Sequence, residues 1–175
     1  MNLKIHIIGG PGSGKTWIAR QLSGVYNIPA FDLDDIFWEK NAPHYGIKSP
    51  PEKRDSELKE ILSKRSWIIE GVYYSWLTDS FHLADLIIIL KTSIWLRDVR
   101  IVRRFAKRKL GMITTKRESL RDLQKLIKWN HGYDSNNLKP ALDLVSEYQD
   151  KIIFPQNESQ IISEINLRNL TTKNT

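Results

Sequence analysis

Residues 3–16 read Leu-Lys-Ile-His-Ile-Ile-Gly-Gly-Pro-Gly-Ser-Gly-Lys-Thr. Residues 3–9 have the aliphatic character of a strand that runs into a glycine-rich turn. Residues 15–25 follow as a helix, with Trp17, Ile18, Leu22 and Val25 at helical spacing. From Gly9 to Thr16 the turn fits the Walker A pattern of glycine, any four residues, then Gly-Lys-Ser/Thr, which chance yields about once in 200 chains of this composition. Glycines let the backbone wrap so that successive N–H groups converge on an anion above the helix N-terminus. Lys15 then reaches the β- and γ-phosphates of a nucleotide, and the Thr16 hydroxyl binds Mg²⁺. The expected nucleotide-binding set is Gly10, Pro11, Gly12, Ser13, Gly14, Lys15 and Thr16. The bland alternative is a turn that merely connects strand and helix.

Outward from this turn, strand-like and helix-length segments alternate. Pro29–Leu33 is a short strand, 41–51 a loop with three prolines and one glycine, and 52–65 a charged helix opened by Pro50-Pro51-Glu52. Trp67–Glu70 and the unbroken aliphatic run Leu86–Leu90 are two more strands, the second buried on both faces. Residues 91–110 form a basic helix and 111–115 a turn. Further helices lie near 118–131 and 139–148, and Lys151–Phe154 is a last short strand before a closing helix over 158–168. Strands separated by helices predict one α/β domain over 1–175, with a parallel sheet covered on both faces.

The chain has 175 residues, 41% hydrophobic and 10% aromatic, which suits one domain with a substantial core. Without cysteine there is no disulfide framework, Cys-ligated zinc or thiol catalysis. No apolar run approaches the roughly 20 residues of a membrane span, and the N-terminus lacks signal-peptide character. A cytoplasmic location without a membrane partner is the expectation. The net charge of +7 is local: residues 91–128 hold 13 Lys/Arg against three Asp/Glu, a net of +10, so the rest sums to −3. Such a segment calls for an anionic partner, be it nucleic acid, a membrane surface or ligand phosphates; a solvated helix face is the commoner fate. On a helix over 91–110, Arg97, Arg100, Arg104 and Arg108 share one arc, and Trp95, Val99, Val102, Ala106 and Leu110 share the opposite one. The expectation is an arginine face for phosphate oxygens and an apolar face packed on the core.

A phosphate-loop protein needs acids near its metal. Glu70 ends a strand before Gly71 and is the better Mg²⁺-side acid, acting through a metal-bound water; a capping or surface role is its alternative. Asp85 precedes its strand, at the wrong edge of a parallel sheet. Asp32, Asp34 and Asp35 lie at the carboxyl end of the second strand, where α/β proteins bind ligands. Alternation puts Asp32 and Asp34 on one side. Asp34 is the choice for the substrate-side acid, with Asp32 as the alternative and Asp35 best suited to capping. Phe37, Trp38, Tyr45, Tyr73, Tyr74 and Trp76 follow these acids and could stack on a planar acceptor or simply pack.

The phosphate loop, Leu33-Asp34-x-x-x-Trp38, Trp67-Ile-Ile-Glu-Gly-Val-Tyr73, Ala84-Asp85 and the arginine-rich helix recur in order over about 3–155. In this the chain resembles the bacterial DNA topology modulation protein family, a branch of the adenylate-kinase-like P-loop kinases. The resemblance implies a three-layer P-loop NTPase fold whose five-stranded parallel sheet has the order 2-3-1-4-5. It further implies an acceptor-binding segment about 35–66 and a helical lid about 97–131, with ATP and Mg²⁺ as cofactors. Arg104 and Arg108 would be the lid arginines that neutralise charge on the transferred phosphoryl, and Asn157 would lie near the adenine. Departures are Glu70 where Asp is more usual, Lys91 where an acid is common, and no arginine in Val72-Tyr-Tyr-Ser-Trp76 to hold an acceptor phosphate.

Function is therefore expected to be phosphoryl transfer from ATP to a small acceptor: a nucleoside, a nucleotide or a hydroxyl metabolite. The missing arginine argues against AMP. A nucleotide-dependent nucleic-acid-binding regulator using residues 91–128 is the alternative from another class, and a plain NTPase switch a third.

Overall fold

Branched aliphatics dominate the strands because parallel strands are covered on both faces. The computed structural model describes residues 2–39, 46–112 and 119–172. In chain order its elements are β1 (Lys4–Gly9), α1 (Lys15–Tyr26), β2 (Ala30–Asp32), the single turn α2 (Asp34–Phe37), α3 (Pro51–Leu62) and β3 (Trp67–Gly71). Then come α4 (Thr78–Leu83), β4 (Leu86–Leu90), α5 (Ile94–Lys109), α6 (Leu120–Tyr133), α7 (Lys139–Val145), β5 (Ile152–Ile153) and α8 (Glu158–Thr172). All strand pairs are parallel and the order is β2-β3-β1-β4-β5, as expected.

Two cores flank the sheet. On one face Ile5 and Ile7 of β1, Ile68 of β3 and Ile88 of β4 pack against Ala19 and Leu22 of α1 and Ile161 and Ile165 of α8. On the other, Ile8, Ile69, Ile87 and Ile89 meet Leu33, Leu62, Phe81, Tyr133 and Val145. Truncating one such aliphatic to Ala costs about 2–5 kcal/mol. His6 faces this second core, fully buried, its Nδ1 2.7 Å from Ser80 Oγ and its ring 4.5 Å from that of Phe81. Burial pushes its pKa down to about 3, so the ring is neutral. At the amino edge of the sheet, Asp85 Oδ2 accepts a hydrogen bond from Lys4 N at 2.8 Å, which gives that acid a structural task.

Several expectations need correction. Helix α4 is absent from the sequence reading because six residues show no period. The helix expected near 139–148 is α7 with a 3₁₀ stretch, Ser146–Lys151, behind it; a π turn, Asp134–Leu138, fuses α7 to α6. In α1, Leu22 is buried but Trp17 and Val25 are exposed. The largest correction concerns α5. Its apolar arc is outside: Trp95 is 78% and Leu110 75% exposed, and Val99 and Val102 are exposed too. Its inner face is Arg97, Ile101 and Phe105, with Arg97 only 1% exposed. The reason lies in what α5 faces. Its first turns border the phosphate loop, whose outward carbonyls need donors, so arginines turn inward.

Candidate nucleotide and acceptor site

The phosphate loop lies between the carboxyl end of β1 and α1. Gly12 and Gly14 hold φ of +74° and +105°, the left-handed region that side chains disfavour. Gly14 is the N-cap of α1 and offers no side-chain cap, so the first amides of the helix are left for a ligand. Gly10 and Pro11 are buried. A Cβ on Gly10 would run into Arg97 Nη1, and one on Gly12 would stand 2.7 Å from the Arg97 carbonyl. Ser13 N donates to Gly10 O at 3.1 Å, and the buried Ser13 Oγ has no hydrogen-bond partner among the described residues.

The loop is gripped from behind by β4 and α5. Thr92 Oγ1 donates to Ser13 O at 3.2 Å, and Arg100 Nη1 donates to Gly12 O and Ser13 O at 3.2 and 3.0 Å. Arg97 lies beneath, bidentate to Asp134 at 2.8 and 3.0 Å and over the Tyr133 ring. Arg97, expected on the phosphate-facing row, is instead a buried guanidinium paired with the half-exposed Asp134, and it joins α5, α6 and the loop.

Lys15 is 7% exposed and donates to Gly10 O at 3.1 Å. Burial lowers the pKa of its ammonium; Glu70, Asp34 and Asp32 oppose that shift and the nearby Arg104 adds to it. Four of the expected groups therefore act electrostatically on Lys15. Thr16 Oγ1 donates to Glu70 Oε1 at 2.5 Å. Burial raises Glu70, restrained by Lys15 and by the Thr16 bond. Asp32 stands opposite Glu70 in the β2–β3 register and is pushed up to about 7, by burial first and then by Glu70. Asp34 opens α2; its N–H donates to Asp32 Oδ1 at 2.9 Å, and the Tyr73 hydroxyl donates to its Oδ1 at 2.6 Å. Arg108 sits one turn beyond Arg104 on α5 and is half-buried.

A cleft of about 670 Å³ opens beside the loop. Ser13, Gly14, Trp17, Lys91, Arg100 and the segment Phe154–Glu158 line it, Asn157 included. Asn157 Oδ1 also accepts from Gln160 N at 3.0 Å and so caps α8, and Lys91 lies over the Phe154 ring at 4.1 Å. Trp17 is a lining residue that the sequence does not single out as one, whereas Arg100, expected on the phosphate-facing arginine row, spends its Nη1 on the loop carbonyls Gly12 O and Ser13 O and borders the cleft. The aromatics behind Asp34 stack on one another rather than presenting open faces: Phe37 on Tyr73 at 4.3 Å, with Trp38 edge-on at 4.8 Å. Tyr45 lies outside the described residues.

The groups present suit ATP and Mg²⁺. Converging amides, a buried lysine and an orphaned serine hydroxyl fit a phosphate chain, and the cleft beside them fits a nucleoside. The Thr16 hydroxyl and the Glu70 carboxylate are hard oxygen donors. Among the described residues no group of three or more His, Cys, Asp or Glu forms a metal cage. Mg²⁺ needs none, because it fills its octahedron largely with water and phosphate. Among the described residues no helix is long and apolar enough to cross a membrane.

No protein-family model matches the chain. It is 32% identical over 108 residues to the cytidylate kinase of Pyrobaculum islandicum, across 55% of this chain and 58% of that protein. The chain thus spans less than two thirds of the curated relative it matches. Among solved structures it is similar to the shikimate kinase from Acinetobacter baumannii in complex with shikimate, with a TM-score of 0.51 at 18% identity. That likeness covers 98% of this chain and 94% of the other and speaks for the fold. With its strand order, helices on both faces and a glycine-rich loop between β1 and α1, the chain has the three-layer P-loop NTPase fold.

Proposed function

We propose that this protein is an ATP- and Mg²⁺-dependent small-molecule kinase, of the adenylate-kinase-like group and its topology modulation branch. It transfers the γ-phosphoryl to an acceptor hydroxyl or phosphate. One observation carries the reading: Lys15, at the base of the phosphate loop, stands within electrostatic reach of Asp32, Asp34, Glu70 and Arg104. Groups read as donor-side and acceptor-side thus influence one another at the carboxyl edge of the sheet, which supports a shared site. The partial match to a cytidylate kinase supports the same class.

On this reading the loop amides and Lys15 hold the β- and γ-phosphates, and Arg100 and Asn157 flank the nucleoside. Thr16 and Glu70 hold Mg²⁺, Glu70 through water; the ion offsets charge on the phosphates when bound. The acceptor occupies the side of Asp34 and the segment 35–66. Its oxygen forms the new bond to phosphorus as the bond to the β-phosphate oxygen breaks, and where the acceptor is a hydroxyl its proton passes to Asp34. Arg104 and Arg108, in the lid segment 97–131, stabilise the charge on the phosphoryl in flight. The whole works as one catalytic domain.

The test is ADP release from ATP–Mg²⁺ with and without CMP, shikimate, pooled nucleosides and pooled hydroxyl metabolites. Stimulation by one addition is the expected result. No stimulation by any, together with tight and salt-sensitive DNA binding, would favour the regulator instead.

A further inference from the structure

Tyr73 follows Glu70-Gly71 after β3, and it clasps both ends of α2. Its ring stacks on Phe37, the last residue of that turn, at 4.3 Å and 28° between planes. Its hydroxyl donates to Asp34, the first residue, at 2.6 Å. That length is at the short end of the O–H···O range. A third contact, Trp76 at 5.8 Å, closes the ring in, so the hydroxyl has little freedom. Asp34 itself is exposed and its turn is only four residues long, so among the described residues little else fixes the carboxylate.

We infer that Tyr73 is the positioning residue of the acceptor-side acid. It takes up Oδ1 of Asp34 and leaves Oδ2 for the acceptor. Because it lies three residues after Glu70, it also sets the acceptor acid in register with the metal-side acid. This rests on the kinase reading above and adds to it a residue that touches neither phosphate nor metal. A one-turn helix on the open side of the sheet cannot hold a general base to within a fraction of an ångström alone; a stacked phenol can.

Tyr73→Phe keeps the stack and removes only the donor. Acceptor-stimulated ADP release is expected to fall about 10- to 100-fold in kcat, with KM for ATP and Tm unchanged. Tyr73→Leu, which also loses the stack, should lower Tm as well. In an Asp34→Ala background, followed over hours, Tyr73→Phe should cost nothing further, because the partner it positions is gone. Wild-type rates in Tyr73→Phe, or losses that multiply in the double variant, overturn the role while leaving the kinase intact. No ADP release by the wild type with any acceptor pool overturns the kinase reading and this role together.

Discussion

The phosphate loop and helix α5 touch each other, yet the same rules of spacing served them differently. In the loop, strand, glycines, Lys15 and Thr16 stand where the sequence puts them, because a Walker pattern specifies a backbone path residue by residue. In α5 the period was right and the side was wrong. A helix with one arginine arc and one apolar arc is expected to bury the apolar one, but α5 buries Arg97 and exposes Trp95, Val99, Val102 and Leu110. Periodicity says that a helix has two faces; only the neighbour says which is in. Here the neighbour is a loop rich in carbonyls, with Asp134 behind it, and such surfaces select guanidinium over isobutyl.

The contrast can be broken or sharpened by mutation. The largest effect is expected at the loop. Lys15→Ala should reduce acceptor-dependent ADP release about 100-fold or more at unchanged fold, read by kcat alongside circular dichroism. Next is the split within the arginine row. Arg97→Met should lower unfolding free energy by about 1–3 kcal/mol in urea, since it removes the partner of the half-exposed Asp134 and opens space under Gly10. Arg104→Ala should lower kcat much more than ATP affinity and leave stability within about 0.5 kcal/mol. Equal stability losses at the two positions would mean that α5 has one uniform inner row.

A smaller effect tests the strand leading into the loop. His6 is neutral in the fold and takes a proton at about 6.5 when unfolded, so the unfolded chain binds more protons between pH 6.5 and about 3. Its contribution is complete above 6.5 and is lost as pH falls, by about 1.4 kcal/mol per pH unit at full slope. Asp32 has the opposite sign, its elevated pKa of about 7 costing stability as pH rises from about 4 to 7. Comparing wild type with His6→Gln in urea melts from pH 7 to 5 isolates the histidine; parallel curves would mean His6 reaches solvent. The smallest effect belongs to the outer face of α5. Val99→Ser with Val102→Ser should change stability by no more than about 0.5 kcal/mol, and a loss above about 2 kcal/mol would make that face core.

Legibility followed the distance over which a feature is decided. The sheet could be read because β1, β3 and β4 carry runs of aliphatics and the short β2 lies in line between helix-length segments, and the Asp32–Asp34 and Glu70 acids because each sits at a recognisable strand end. Thr78–Leu83 is too short to show a period, and Ser80 within it is committed to His6, 74 residues away in sequence. Tyr73 carried no local sign of its attachment to Asp34, 39 residues earlier, since that bond exists only once β2 and β3 are side by side. Arg100 was visible as one of a row, but its carbonyl partners across 87 and 88 residues were not.

Arg100 fastens α5 to the phosphate loop at Gly12 and Ser13, with Arg97 packed beneath Gly10, while Arg104 and Arg108 ride further along the same unbroken helix. In mechanical terms the near end of α5 is a clamp and its far end a cantilever. Whatever swings over a bound substrate has to pivot beyond Arg100, because displacing the clamped turns would drag the nucleotide's own seat with them. If the basic segment closes as proposed, its moving part would thus be shorter than the segment itself, and a stiff lever would deliver its charge along a fixed arc.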